Sequence, residues 1–333
     1  MDPLRTIFEI PENSLGLRYD TPSLWMGSCF TENIGSRLKE LKFPAEVNPF
    51  GVLYNPVSIK NSVEILMEGR KFTGSDLNYG NGLWYSFSHH SSFSHADRDT
   101  CVKNINVAID RASRVLEKAA FLFITFGTAR VYRLRETSVS VSNCHKLPHD
   151  RFSHLLLTVD EIVDSYVPFI NKLKSFNRGL RIVFTVSPVR HWKDGANGNQ
   201  VSKATLILAV SKLVGIFEDA AYFPAYELVM DDLRDYRFYE KDMIHINDQG
   251  VDYIWRRFVK SFIGRDQEPL MKEVAGIMQG VKHRPFNPLS EQYLGFLNNL
   301  LGQMSKIEKS NRLIDFSDER GQVMSAIENF RAG

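Results

Sequence analysis

The sequence predicts a three-layer α/β domain on a parallel sheet, followed by a helical extension. Three observations carry this. Strand-like and helix-like segments alternate from residue 23 to residue 262. The runs Ala120-Phe121-Leu122-Phe123-Ile124-Thr125-Phe126 and Arg181-Ile182-Val183-Phe184-Thr185-Val186 are short and almost continuously apolar, as strands covered on both faces must be. The stretch from Ser23 to Gly35 runs from an apolar strand through Gly27, Ser28 and Cys29 directly into a helix, the corner that α/β folds place at the carboxyl end of a strand.

Taken in order, residues 1 to 22 read as an irregular lead-in broken at Pro11 and Pro22. The first helix ends near Lys42-Phe43-Pro44, and Ala45 to Asn48 form a short second strand that meets Pro49-Phe50-Gly51. Asn55-Pro56 opens a helix with Ile59, Val63, Leu66 and Met67 on one face, stopped at Gly69. Residues 70 to 97 read as loop. They carry His89, His90 and His95, but no acidic or cysteine partner at metal-ligand spacing, so a structural or pocket-lining loop is the better reading. An amphipathic helix spans about Asp99 to Lys118. After the strand ending at Phe126, residues 130 to 157 read as a hairpin excursion bearing the polar loop Asn143-Cys144-His145-Lys146. Helices follow at Val159 to Phe176, Ser202 to Glu218 and Asp248 to Phe262, with a last core strand from Ala221 to Glu227. Beyond a first domain of residues 1–264, residues 265–333 read as a helical extension. Its stripe Phe296, Leu297, Leu300, Leu301, Met304 and Ile307 could cover the α/β domain or contribute to a homodimer interface.

Bulk properties exclude several classes. The 333 residues are 43% hydrophobic, enough for a large core, and carry 41 Lys and Arg against 39 Asp and Glu. A net charge of +2 gives no field to gather nucleic acid or anionic membrane, so no nucleic-acid partner is expected. No run reaches the roughly 18 apolar residues of a membrane span, and the N-terminus has no basic region followed by an apolar core. The chain therefore reads as cytoplasmic. Three cysteines, Cys29, Cys101 and Cys144, without CxxC spacing point to neither a disulfide framework nor a zinc cluster. No metal and no cofactor is expected.

Two elements carry candidate chemistry. At the first corner, Ser28 and Cys29 are adjacent nucleophiles beside helix-start N–H groups able to stabilise developing negative charge. The bland alternative is a turn in which Ser28 caps the helix and Cys29 packs as a small hydrophobe. The second element is Asp242-Met243-Ile244-His245, in which the carboxylate can bend back to one imidazole nitrogen and leave the other free as a base.

Gly27-Ser28-Cys29-Phe30-Thr31 resembles the signature of the GSCFA family, with Thr31 where the signature has alanine. The blocks Thr125 to Ala129, Asn143 to Lys146, Ser187 to His191 and Asp242 to His245 resemble that family's other blocks in the same order, over about residues 20 to 262, and His283-Arg284-Pro285-Phe286 extends the likeness into the tail. The family is in turn similar to the SGNH or GDSL hydrolases, which implies a flavodoxin-like fold and acyl transfer without metal or dinucleotide. The resemblance places Gly51 at the second-block glycine of the oxyanion hole and Thr128 near its asparagine, with Asn143 the nearest replacement for that amide. Superposing Gly27 on the glycine of the Gly-Asp-Ser turn puts Cys29 at the attacking position, with Ser28 the alternative. His245 is then base and Asp242 its orienter.

His145, Arg190 and His191 lie after core strands and could line the substrate pocket, Arg190 by holding a carboxylate or phosphate. The implied function is an esterase or deacylase acting on a small-molecule or glycan ester. The alternatives are an acyltransferase and a binding or scaffold protein that keeps the fold without turnover.

Overall fold

The structure, a computed structural model, describes residues 5–12 and 16–332. It divides into two compact units. The first comprises Pro22–Gly35 and Ala45–Val259 with the described residues up to Pro11; the second comprises Ser36–Pro44, Lys260 onward and the described residues from Glu12 to Thr21.

The α/β alternation begins with β1 (Ser23–Gly27), α1 (Cys29–Glu40), β2 (Ala45–Val47) and α2 (Pro56–Glu68). The bounds of α2 follow from its ends: the Asn55 side chain accepts from Ser58 N–H, Pro56 occupies the first turn, and Gly69 closes the helix with φ +57°. A small hairpin, β3 (Asn78–Gly80) and β4 (Leu83–Tyr85), precedes α3 (Arg98–Lys118) and β5 (Phe121–Phe126). The excursion that follows is a separate antiparallel sheet of β6 (Arg130–Leu134), β7 (Ser140–Val141) and β8 (Phe152–Leu156), in the order β7-β6-β8. Then come α4 (Val159–Phe176), β9 (Arg181–Val186), α5 (Gly195–Ile216), β10 (Ala220–Tyr222), the single turn α6 (Ala225–Glu227), a π-helical turn over Leu228–Leu233, and α7 (Asp248–Phe262).

The main sheet is wholly parallel, in the order β10-β9-β5-β1-β2. The chain leaves β1 toward β2 on one side and returns to β5 on the other, so the switch point of a doubly wound sheet lies between the carboxyl ends of β1 and β5. Side chains alternate between the faces. Leu24, Met26, Leu122, Ile124, Phe126, Ile182 and Phe184 form the main core with Ile59 and Val63 of α2, Ile105 and Ile109 of α3, Tyr166 of α4 and Leu206 of α5. On the opposite face Trp25 stacks on Phe123 at 3.7 Å, and Phe258 of α7 sets its edge against Trp25 at 5.5 Å and against Phe223 at 5.5 Å.

Three local features differ from the sequence reading. α5 starts at Gly195 rather than Ser202: Gly195-Ala196-Asn197-Gly198-Asn199 has loop composition, but Asn199, Ser202 and Lys203 are buried and Asn199 accepts from His191 N–H, so tertiary contacts override propensity. β10 stops at Tyr222, because Pro224 cannot continue the ladder and Ala225 begins a helical turn. Within the segment read as loop, Asn81 and Gly82 both have positive φ and close the β3–β4 hairpin.

The second unit contains α8 (Glu268–Lys282), α9 (Glu291–Ser310) and α10 (Ser317–Ala332). Of the stripe on α9, Leu297, Leu300, Met304 and Ile307 are buried, while Phe296 is exposed. Lys42 pairs with Glu319 at 2.6 Å and lies over the Phe316 ring, and Tyr19 stacks on Phe43 at 4.2 Å. Among the described residues no helix is long and apolar enough to cross a membrane.

Candidate active site

The corner after β1 is shaped by Gly27. Its φ is +145°, and a Cβ there would fall inside contact distance of the Thr125 carbonyl on β5, so glycine alone lets the two strand ends approach at the switch point. Gly27 N–H donates to Asn48 Oδ1 at 2.9 Å, Gly27 O accepts from Leu53 N–H at 2.9 Å, and Ser28 N–H donates to Thr125 O at 3.3 Å. Ser28 is 2% exposed, and its hydroxyl has no partner among the described residues. Cys29 is half-buried as the first residue of α1, with Sγ 3.7 Å from the Tyr54 hydroxyl. Burial raises the Cys29 thiol above its ordinary range, and Glu32 adds to that; the Tyr54 hydrogen bond acts against it.

Tyr54 is held in place by backbone from the third block in chain order, Thr125 to Ala129, which follows those of Gly27 and Gly51. Gly127 and Thr128 N–H groups both donate to its carbonyl, at 2.7 and 2.9 Å. The Thr128 hydroxyl lies 3.0 Å from Ser202 Oγ. Gly51, at φ +74°, donates its N–H to Asn48 O at 2.7 Å, and a Cβ on it would strike His90. The N–H groups of Gly51 and Thr128 are thus both taken by protein carbonyls. The His191 ring meets the Tyr54 ring edge-on at 5.2 Å, and its Nε2 is 3.1 Å from where a Cβ on Gly127 would stand. Burial, with Lys203 and Lys193 contributing, pushes the His191 imidazole down to about 4.

Lys203, which sequence reasoning missed, is 1% exposed, and its Nζ donates to Gly127 O at 2.7 Å and Ser187 O at 2.6 Å. It ties the carboxyl ends of β5 and β9 together, and burial pushes its ammonium down to about 7. Nothing in the sequence distinguishes this lysine from a surface residue of α5. For Tyr54 the available signal was its place three residues after the second-block glycine.

Asp242 and His245 form the anticipated pair. They sit on a loop closed by the Tyr239–Ile246 bridge and by a 2.8 Å bond from Glu240 N–H to His245 O, with Met243 at φ +59°. Asp242 Oδ2 is 2.6 Å from His245 Nδ1, while Oδ1 accepts the N–H groups of Ile244 and His245. The His245 side chain, then these backbone donors, hold Asp242 down at about 2. Both side chains are half exposed, and among the described residues no hydrogen bond joins His245 to Cys29 or Ser28. Arg190 lies over the Tyr239 ring at 5.8 Å, beside the start of this loop. Asn143 Oδ1 accepts from His145 N–H at 2.7 Å, and the His145 ring stacks on Tyr85 at 4.3 Å with Nε2 2.9 Å from Ser86 O. His89 is fully buried against Phe50 and Phe72. Among the described residues no group of three or more His, Cys, Asp and Glu could hold a metal ion.

A parallel sheet of flavodoxin-like strand order, with a thiol at its switch point and an Asp–His pair after its last strand, defines an α/β protein with its candidate site at the carboxyl ends of the strands. The chain belongs to the GSCFA family: the GSCFA family model matches residues 23–258, and the model described as GSCFA domain protein, C-terminal domain, matches residues 274–329. Comparison with curated proteins gave no match.

Proposed function

We propose that this chain is an acyl-transfer enzyme of the SGNH type, an esterase or deacylase acting on an ester of a small molecule or glycan. The observation that carries the reading is the placement of the two candidate nucleophiles. Cys29 is half-buried at the start of α1, beside the β1–β5 switch point, whereas the neighbouring Ser28 is enclosed at 2% exposure. That favours Cys29 as the attacking group.

In this mechanism His245 takes the thiol proton, through one water or on closure around substrate, with Asp242 orienting its ring. The thiolate attacks the ester carbonyl, and the tetrahedral intermediate collapses with the protonated His245 returning its proton to the leaving alcohol. Water, deprotonated by His245, then releases the acid from the thioester and restores the thiol. Arg190 has no carboxylate partner among the described residues, which leaves its guanidinium available to an anionic group on the substrate.

The test is intact-protein mass spectrometry after exposure to p-nitrophenyl and thioester acyl donors. An acyl adduct on the wild type that survives in Ser28→Ala and vanishes in Cys29→Ala and His245→Ala is the expected result. Passage of the acyl group to an added alcohol or amine in preference to water would make the enzyme an acyltransferase. If no donor labels the wild type, the reading fails in favour of a binding protein on the same fold.

A further inference from the structure

The third block of this chain has Gly127-Thr128-Ala129 and no amide side chain, and its two leading N–H groups are both spent on the Tyr54 carbonyl. What those bonds accomplish is to fix Tyr54. The segment Leu53–Tyr54 is stapled on one side to Gly27 O, at the end of β1, and on the other to the N–H groups after β5. This carries the Tyr54 hydroxyl into the switch point, 3.7 Å from Cys29 Sγ. The close fit explains Gly127 as well: a Cβ there would stand 3.2 Å from Tyr54 O and 3.3 Å from its ring.

We propose that Tyr54 is a catalytic residue of this site, its phenol donating to the Cys29 thiolate and then to the oxyanion formed when that thiolate attacks a carbonyl. The proposal rests on the reading of Cys29 as nucleophile. Burial, followed by the electrostatic effect and hydrogen bond of Cys29, keeps the phenol protonated well beyond the pH at which a thiol ionises, so it acts as a donor throughout. During attack a bond forms from sulfur to the carbonyl carbon and the π pair moves onto oxygen. The phenol keeps its proton, and its hydrogen bond passes from the sulfur to an oxygen two bonds away. Tyr54 thereby supplies the side-chain donor that the third block lacks.

The test compares wild type with Tyr54→Phe, which keeps the ring against His191 and Gly127 and deletes one oxygen. Iodoacetamide alkylation is followed against pH at the Cys29 peptide, so that Cys101 and Cys144 do not contribute, and Cys29 acylation by p-nitrophenyl acetate is timed. In Tyr54→Phe the alkylation midpoint rises by about one pH unit and acylation slows by roughly 100-fold, with an unchanged near-ultraviolet dichroism spectrum. An unmoved midpoint, or equal acylation rates, overturns the proposal. Failure of the underlying reading is distinguishable: the wild type would take up no acyl group, while the alkylation midpoint would still move.

Discussion

Lys203 places an ammonium with 1% exposure 2.7 Å from the carbonyl of Gly127, at the end of the central strand β5. Its second bond, 2.6 Å to Ser187 O, spans to β9, so one side chain satisfies two carbonyls where the sheet opens toward the candidate site. Such carbonyls cost about 1–3 kcal/mol each when left buried and unpaired.

Lys203→Met is therefore expected to destabilise the protein, with a characteristic pH dependence. The folded value of about 7 lies below the ordinary lysine value, so between pH 7 and about 10.4 the unfolded chain binds more protons than the folded one. Wild-type stability rises with pH through that window, by up to roughly 4 kcal/mol relative to the methionine variant. Urea denaturation of both proteins at pH 7 and pH 10 measures this; a gap that does not widen at pH 10 would show that burial does not lower the Lys203 ammonium.

His89 gives the opposite end of the pH scale. Its ring is enclosed by Phe50, Phe72 and Phe93, with Nδ1 3.1 Å from Ser86 Oγ and Nε2 without a partner among the described residues. Burial, reinforced by His145, pushes it down to about 3, so its neutral form is the one that folds. Stability from this group is complete above about pH 6.5 and is lost as pH falls toward 3, amounting to roughly 3 kcal/mol at pH 4. His89→Phe removes that loss. The variant is expected to be the less stable protein at pH 7, where Ser86 has lost its partner, and to match or exceed wild type at pH 4 in paired thermal melts.

The pattern of apolar runs, glycines and caps made the sheet, α2, α4 and α7 legible, because each is specified by its own segment: Asn55 and Gly69 bound α2, and Thr158 with Glu161 opens α4. The Asp242–His245 pair was legible for the same reason, since both partners lie within one turn. The Cys29–Tyr54 contact was not, because it depends on how far the Gly51–Asn55 segment is drawn toward β5 by the N–H groups of Gly127 and Thr128. Lys203 was illegible on similar grounds: its meaning comes from two carbonyls distant in sequence. Long-range backbone hydrogen bonding, which has no residue-type signature, separates the two cases.

Gly27→Ala tests the closeness of β1 and β5. A methyl there meets Thr125 backbone and side chain at once, and φ +145° is foreign to alanine. Relief requires the two central strands to part at their carboxyl ends, losing the Ser28 N–H bond to Thr125 O. The expected cost is about 3 kcal/mol or more, with faster alkylation of Cys29 as the corner opens. Calorimetric unfolding and peptide-resolved thiol labelling check both; a variant of wild-type stability would show that the corner can yield without separating the strands.

Asp242 offers a test of the Asp–His pair that needs no substrate. Its carboxylate is half exposed, and what little burial it has acts to raise it; the His245 ring holds it down at about 2 first, followed by the N–H groups of His245 and Ile244. Replacing His245 by alanine removes the ring and keeps both backbone donors. The Asp242 carboxyl resonance in His245→Ala is expected to titrate between about 2 and the ordinary aspartate value near 3.9, whereas the Asp242→Asn variant removes the titration altogether. A midpoint in His245→Ala equal to that of wild type would mean that the turn alone holds the carboxylate. The imidazole would then be oriented by nothing specific, and the basis for His245 as general base would be lost.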